Sequence, residues 1–297
     1  MFEVLCQKNR AGHGEIFFHG AICFYDGTTF KILGEDIKTF GRSLMKPFQI
    51  QMFKEELSDL TSEQLAISVA SHNGTREHIE MAKSVLSGID EEKLEISVSM
   101  PLEPGEPESS WANPCSGKHS AILKGLTRKG IDTKGYTKKD HPYDMMFKAA
   151  LEKHCNTKLQ TRAIDGCSLP TYLQSLSSIA KGFYNVASKD EFTWIRNSMK
   201  SHPILVGGKD RIDTEVMSIE GVDVLAKEGA DGLFVVAFKH NDRNLCICLK
   251  MAQGRSPEAM KFITQKILER LAIKYIYKSS ENYEIGVDLH KFLDEIL

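Results

Sequence analysis

The 297-residue sequence holds no apolar run approaching the roughly 18 to 20 residues that a bilayer-spanning helix requires, so no membrane anchor is expected. Its start, Met1-Phe2-Glu3-Val4-Leu5 and then Cys6-Gln7-Lys8-Asn9-Arg10, is too short and too polar for a secretory leader, which predicts a cytoplasmic protein. A surplus of positive charge is also missing. Lys and Arg number 38 against 40 Asp and Glu, and the net charge of -2 leaves no basic footprint for nucleic acid. Gly207-Gly208-Lys209 and Gly125-Leu126-Thr127 lack the spacing of a phosphate loop, and no dinucleotide fingerprint follows a strand. No His-Glu-x-x-His occurs, which argues against a zinc protease. Internal repeats and low-complexity linkers are absent too, so a single domain over 1–297 is expected. The seven cysteines are odd in number and scattered, which excludes a simple disulfide framework and points to reduced thiols.

What is present is an ordinary globular composition, 41% hydrophobic and 26% charged. Segments 16–25 and 28–32 flank Asp26-Gly27, a hairpin signal. Residues 43–57 read as a helix, 63–70 as an apolar segment, and 75–86 as a helix capped near Asn73 or Thr75. Pro101–Pro107 reads as an extended loop. Helices are expected over 119–126, 142–154 and 173–181. Strands are expected over 222–226, 233–239 and 245–251, the last two joined by a polar turn, and Cys246 and Cys248 should be buried. Pro257 opens an amphipathic helix to about Tyr275. Two strands come early and three late, with helices between. The fold class predicted is therefore α+β, an antiparallel sheet assembled from both chain ends and flanked by helices.

The chemistry-bearing signal is Ser43-Leu44-Met45-Lys46, followed by Pro47. On a helix, residues three apart share a face, so the Ser43 hydroxyl and the Lys46 amine can meet. A hydroxyl is a poor nucleophile until a base takes its proton, and a lysine serves as base only when its pKa falls. Pro47 is tolerated only near a helix start, which places both side chains at the positive helix mouth, where an ammonium is disfavoured. By itself the motif is also what a capping serine and a solvated lysine would look like. The context adds to it. Lys227-Glu228-Gly229 precedes a late strand and Ser71 ends an apolar segment, the three-part layout of penicillin-recognising serine enzymes.

Read together, five islands resemble the rhizobial-type L-asparaginase (asparaginase II) family, whose fold is similar to that of serine β-lactamases and glutaminases. They are Arg42-Ser43-Leu44-Met45-Lys46-Pro47, Ala70-Ser71-His72-Asn73-Gly74, Asn113-Pro114-Cys115-Ser116-Gly117-Lys118-His119, Asp165-Gly166-Cys167 and Lys227-Glu228-Gly229-Ala230-Asp231-Gly232. The resemblance implies hydrolysis of L-asparagine to L-aspartate and ammonia. It implies two tandems, Ser43 with Lys46 and Ser71 with Lys227, a zinc site formed by Cys115, Lys118 and Cys167, and a homodimer. The chain departs from the family pattern at Asn73-Gly74-Thr75, where Ser-Gly-Glu is expected, and at Asp231, where Glu is expected. Arg42 suits a substrate α-carboxylate, Asp165 an α-ammonium, and His119 a polar group of the substrate; His72 and His78 read as structural. The competing readings are a serine glutaminase or β-lactam-reactive hydrolase, and an inactive metal-binding scaffold of the same fold.

Overall fold

The computed structural model describes residues 1–101 and 107–296. The interior of the extended loop expected over Pro101–Pro107 lies outside them. Ten strands are described: β1 (Glu3–Arg10), β2 (His13–Tyr25), β3 (Phe30–Leu33), β4 (Lys38–Phe40), β5 (Arg162–Ile164), β6 (Pro170–Ser175), β7 (Val224–Gly229), β8 (Leu233–His240), β9 (Arg243–Met251) and β10 (Tyr283–Ile285). The main sheet runs β10-β1-β2-β9-β8-β7, with β3 also pairing β2, and every pairing is antiparallel. The two ends of the chain meet where β2 pairs β9, Cys23 opposite Cys248. A smaller antiparallel sheet runs β4-β6-β5. The α+β architecture with helices packed around the sheet is thus observed.

The strongest local signals produce their elements. β8 and β9 are joined at His240 and Arg243 by Asn241-Asp242, both with positive φ (48° and 61°), the conformation that a two-residue hairpin turn demands. Phe234, Val235, Val236, Cys246, Ile247 and Cys248 are buried, and the helix Leu176–Ser188 packs across β2, β8 and β9. Thr75 caps the helix Arg76–Leu86, its hydroxyl accepting from the His78 amide. Among the described residues no helix is long and apolar enough to cross a membrane.

Four boundaries differ from expectation, each for a local reason. The helix expected over 43–57 is a 3-10 turn, Arg42–Met45, that passes into the helix Lys46–Gln51. Pro47 lacks an N–H and so belongs in the first turn of an α-helix, which begins only at Lys46. Residues 173–175, expected to be helical, complete β6 against β4. The helix starts afterwards because the Ser175 hydroxyl caps the Ser178 amide. The helix from Pro257 ends at Arg270, where Ala272 turns left-handed with φ 57°. β1 and β10, one largely polar and the other three residues long, carry no clean alternation and were not expected.

Candidate active site

Ser43 sits in the short turn between β4 and the helix Lys46–Gln51, just after Arg42, which is held at φ 48°. A non-glycine residue in that region is strained and marks a turn over-determined by its surroundings. One turn on, Lys46 is 1% exposed. Its amine donates to the carbonyl of Ala70, to Ser71 Oγ at 3.1 Å and to the carbonyl of Pro114 at 3.3 Å. No carboxylate is among these partners. Burial therefore lowers Lys46 to about 8; Cys115 opposes the shift, and the charges of Lys118 and Lys227 add to it. Such an amine is partly neutral near physiological pH and can accept a proton.

The hydroxyl on Lys46 is that of Ser71, not the expected Ser43. The Ala70-Ser71 segment passes directly over the amine and supplies both a carbonyl and the hydroxyl. Ser43 and Ser71 nevertheless line one cleft of about 300 Å³, together with Pro114, Arg211, Asp231 and Arg255. A second depression of similar size, about 290 Å³, is bordered by Lys31, Arg243 and Arg270 and lies away from both serines.

Lys227, expected beside Ser71, engages a different residue. Its amine donates to Asp213 Oδ2 at 3.1 Å and to the Glu228 carbonyl at 2.9 Å, with both charged side chains fully buried. Asp213 also accepts from the Glu228 amide at 3.1 Å. Burial works against the ionised carboxyl, but Lys227 and Arg211 outweigh it and hold Asp213 below the usual carboxylate range.

Arg42 is an ion-pair hub. Its Nε meets Asp165 Oδ1 at 2.7 Å and its Nη1 meets Asp231 Oδ2. Asp165 and Arg42, expected as separate clamps on a ligand, thus hold each other. Although burial opposes it, Lys118 and Arg42 keep the Asp165 carboxyl low. His119 lies at 0% exposure with its Nδ1 on the Tyr136 hydroxyl, and burial, with Lys118, pushes it down to about 3, so the ring is neutral. It does not border the cleft surface. His72 carries no free nitrogen: Nδ1 accepts from the Gly74 amide at 3.1 Å, so Nε2 carries the proton it shares with Ser116 Oγ at 2.9 Å.

Cys115, Lys118 and Cys167 converge. Cys115 is the N-cap of the helix Ser116–Arg128, and Lys118 lies one turn along it. Gly117 is required between them, because a Cβ there would stand 2.3 Å from the Ile67 carbonyl oxygen. Cys167 enters from a turn closed by the Asp165 amide on the Leu169 carbonyl at 2.8 Å. Lys118 donates to Cys167 Sγ at 3.2 Å, and both thiols are free of disulfides. The hydrogen bond from Cys115 holds Cys167 well below the thiol range, burial opposing and Lys118 assisting, while the same contact and burial push Cys115 up to about 12. Burial alone would lower Lys118, but the two cysteines and Asp165 raise it. The donor set fits zinc in kind, two soft sulfurs with an amine nitrogen, once Cys115 and Lys118 give up their protons. Among the described residues no group of three or more His, Cys, Asp or Glu side chains is placed to hold a metal, so any such site here depends on Lys118.

Three charged residues of this region, Arg211, Asp213 and Arg255, carried no motif. Arg211 and Asp213 join Glu228 in one largely buried set: Arg211 Nε meets Glu228 Oε2 at 2.7 Å and its Nη1 meets Asn73 Oδ1 at 3.4 Å. Arg255 lies in the turn after β9. The alternating charges of Arg211-Ile212-Asp213 were visible, but their partners lie in other parts of the chain.

Fold and site together describe an α+β protein whose cleft is lined by two serines, one of them resting on a buried lysine that has no carboxylate partner. The L-asparaginase II family model matches residues 7–286, and the chain belongs to that family. It is an amidohydrolase acting on asparagine. Among curated proteins no relative matches. Among solved structures, a protein from Bacteroides dorei DSM 17855 described as a "putative beta-lactamase" is 11% identical, with a TM-score of 0.43; the alignment covers 80% of this chain and 86% of that one.

Proposed function

We propose that the cleft hydrolyses the side-chain amide of free L-asparagine by serine–lysine nucleophilic catalysis. The observation that carries this reading is the Lys46 amine on Ser71 Oγ at 3.1 Å, at the base of a cleft that Ser43 also lines. Ser43 Oγ attacks the amide carbon, and its proton passes by way of the Ser71 hydroxyl, which sits on the Lys46 amine, to neutral Lys46. Ser71, bonded to that amine, relays a proton to the amide nitrogen as the C–N bond breaks, and ammonia leaves. Water then attacks the Ser43 ester, giving its proton back through Lys46 to the serine, and L-aspartate is released. Lys227, paired with Asp213, contributes a charge that favours loss of the Lys46 proton.

Zinc belongs to the same proposal. Cys115, Lys118 and Cys167 would hold it, and it would tie the Asn113–His119 and Asp165–Cys167 turns together while offering a Lewis acid to substrate polar groups. Homodimerisation is carried over from the family likewise.

Ammonia release from L-asparagine and L-glutamine, measured in parallel with ring opening of a β-lactam probe, tests the reading. L-Asparagine should be preferred by about 100-fold over L-glutamine, since one more methylene displaces the carbonyl from a fixed nucleophile. Ser43→Ala should abolish turnover and any acyl adduct on the intact protein. Near-normal activity in Ser43→Ala would overturn the assignment of the nucleophile, and equal use of glutamine would overturn the substrate.

A further inference from the structure

Building on that reading, we infer that Arg255 is the specificity-determining cation of the cleft, the group that takes the α-carboxylate of the amino-acid substrate, opposite an α-ammonium held at Asp231.

An amino-acid substrate brings two charges into the cleft, and each needs a partner with an open hydrogen-bonding edge. Arg42 was the natural candidate for the carboxylate, being adjacent to Ser43. Its guanidinium is instead engaged on two edges, by Asp165 at 2.7 Å and by Asp231. A third carboxylate brought to it would meet two others already in place. Arg211 is committed as well, to Glu228 at 2.7 Å with both side chains largely buried. Arg255 differs from both. It lines the same cleft as Ser43 and Ser71, it is exposed, and among the described residues no hydrogen bond or ion pair engages it. Its planar fork can therefore meet an incoming carboxylate with two parallel hydrogen bonds and no exchange of partners.

The opposite pole lies within reach by construction. Asp231, at φ 59° in the turn between β7 and β8, keeps its side chain 66% exposed while Arg42 meets only Oδ2. Lys250 is bonded to its backbone oxygen, not to its carboxylate. The turn that carries Arg255 packs backbone to backbone on the turn that carries Asp231. A Cβ on Gly232 would fall 2.3 Å from the Gly254 carbonyl oxygen, and the Met251 amide donates to the Gly232 carbonyl at 2.9 Å. The two turns are thus held against each other, and both Asp231 and Arg255 line the cleft that holds the serines. A cation and a carboxylate in one cleft suit a free α-amino acid, and they disfavour an asparagine whose carboxyl is tied up in a peptide bond.

The test compares L-asparagine with its α-methyl ester, which keeps the side-chain amide and the α-ammonium but carries no α-carboxylate. Binding is measured by calorimetry in Ser43→Ala protein, where turnover is not needed, and ammonia release in the parent enzyme. Arg255→Gln should weaken L-asparagine at least about tenfold, in Kd and in KM, with kcat nearly unchanged. The ester should respond less than twofold, and Arg255→Lys should recover part of the loss. Unchanged L-asparagine binding in Arg255→Gln, or an equal loss for acid and ester, would overturn the inference. Binding of L-asparagine that depends on Arg255 without ammonia release would instead sink the proposed reaction and leave this inference standing.

Discussion

Lys46 and Lys227 are both removed from water, yet they occupy opposite electrostatic situations. Lys227 faces a buried carboxylate at 3.1 Å. Lys46 faces two carbonyls and a hydroxyl, and its pKa falls to about 8. Burial taxes the charged form at either position, so burial alone does not make a base. The partner decides. A lysine whose only acceptors are neutral oxygens can release its proton, whereas one matched to a carboxylate becomes part of the scaffold. The protein holds one of each, and the charge of Lys227 helps lower Lys46.

The comparison can be broken most directly at Lys46. Lys46→Met should lower kcat by about 10² to 10⁴, the range general-base groups supply, while unfolding free energy changes by no more than about 1 kcal/mol. Steady-state ammonia assays and urea unfolding of the same preparation check both halves. If activity persists, the base lies elsewhere. The mirror experiment is Lys227→Met, which leaves Asp213 buried with only Arg211. Stability should drop by about 3 kcal/mol, and Asp213→Asn in the same background should recover much of it, because the uncompensated charge is then gone. A Lys227→Met protein as stable as the parent would show that the ion pair contributes nothing.

The pH profile sharpens the contrast further. In the proposed mechanism Lys46 acts in its neutral form, so kcat/KM should rise with pH through about 8 and then level. Lys227 lowers Lys46, so in any Lys227→Met protein that folds the rising limb should move to higher pH. The linkage has a definite sign as well. Between about 8 and the ordinary lysine value of 10.5 the unfolded chain binds a proton at Lys46 that the folded chain lacks. This group's contribution to stability therefore increases with pH across that window and is lost as pH falls through about 8. The smallest effect belongs to an ion pair on the surface. Lys239 and Asp242 meet at 3.2 Å at the tip of the β8–β9 hairpin, and Lys239→Ala should cost about 0.3 kcal/mol, readable as a shift of the urea midpoint.

Much of this was legible from residue order. Alternation and turn chemistry specify β2, β8 and β9. Thr75 announces its helix, the spacing of Ser43 with Lys46 picks out two residues of the site, and Cys115 and Lys118 stand out only through the family resemblance. These are relations between residues a few positions apart, and the backbone periods of helix and strand translate such spacings into shared faces whatever the rest of the chain does. Which groups actually pair was not legible. Ser71 takes the place on Lys46 that Ser43 was expected to fill, Asp213 takes Lys227, and Asp165 and Asp231 take Arg42. In each case the partners stand 14 to 189 positions apart. Their meeting depends on where strands and turns are packed, and the charge state of a buried amine follows from that meeting. Sequence alone thus determined the family, the elements and the inventory of reactive groups, and only the tertiary structure decided which lysine is left without a carboxylate.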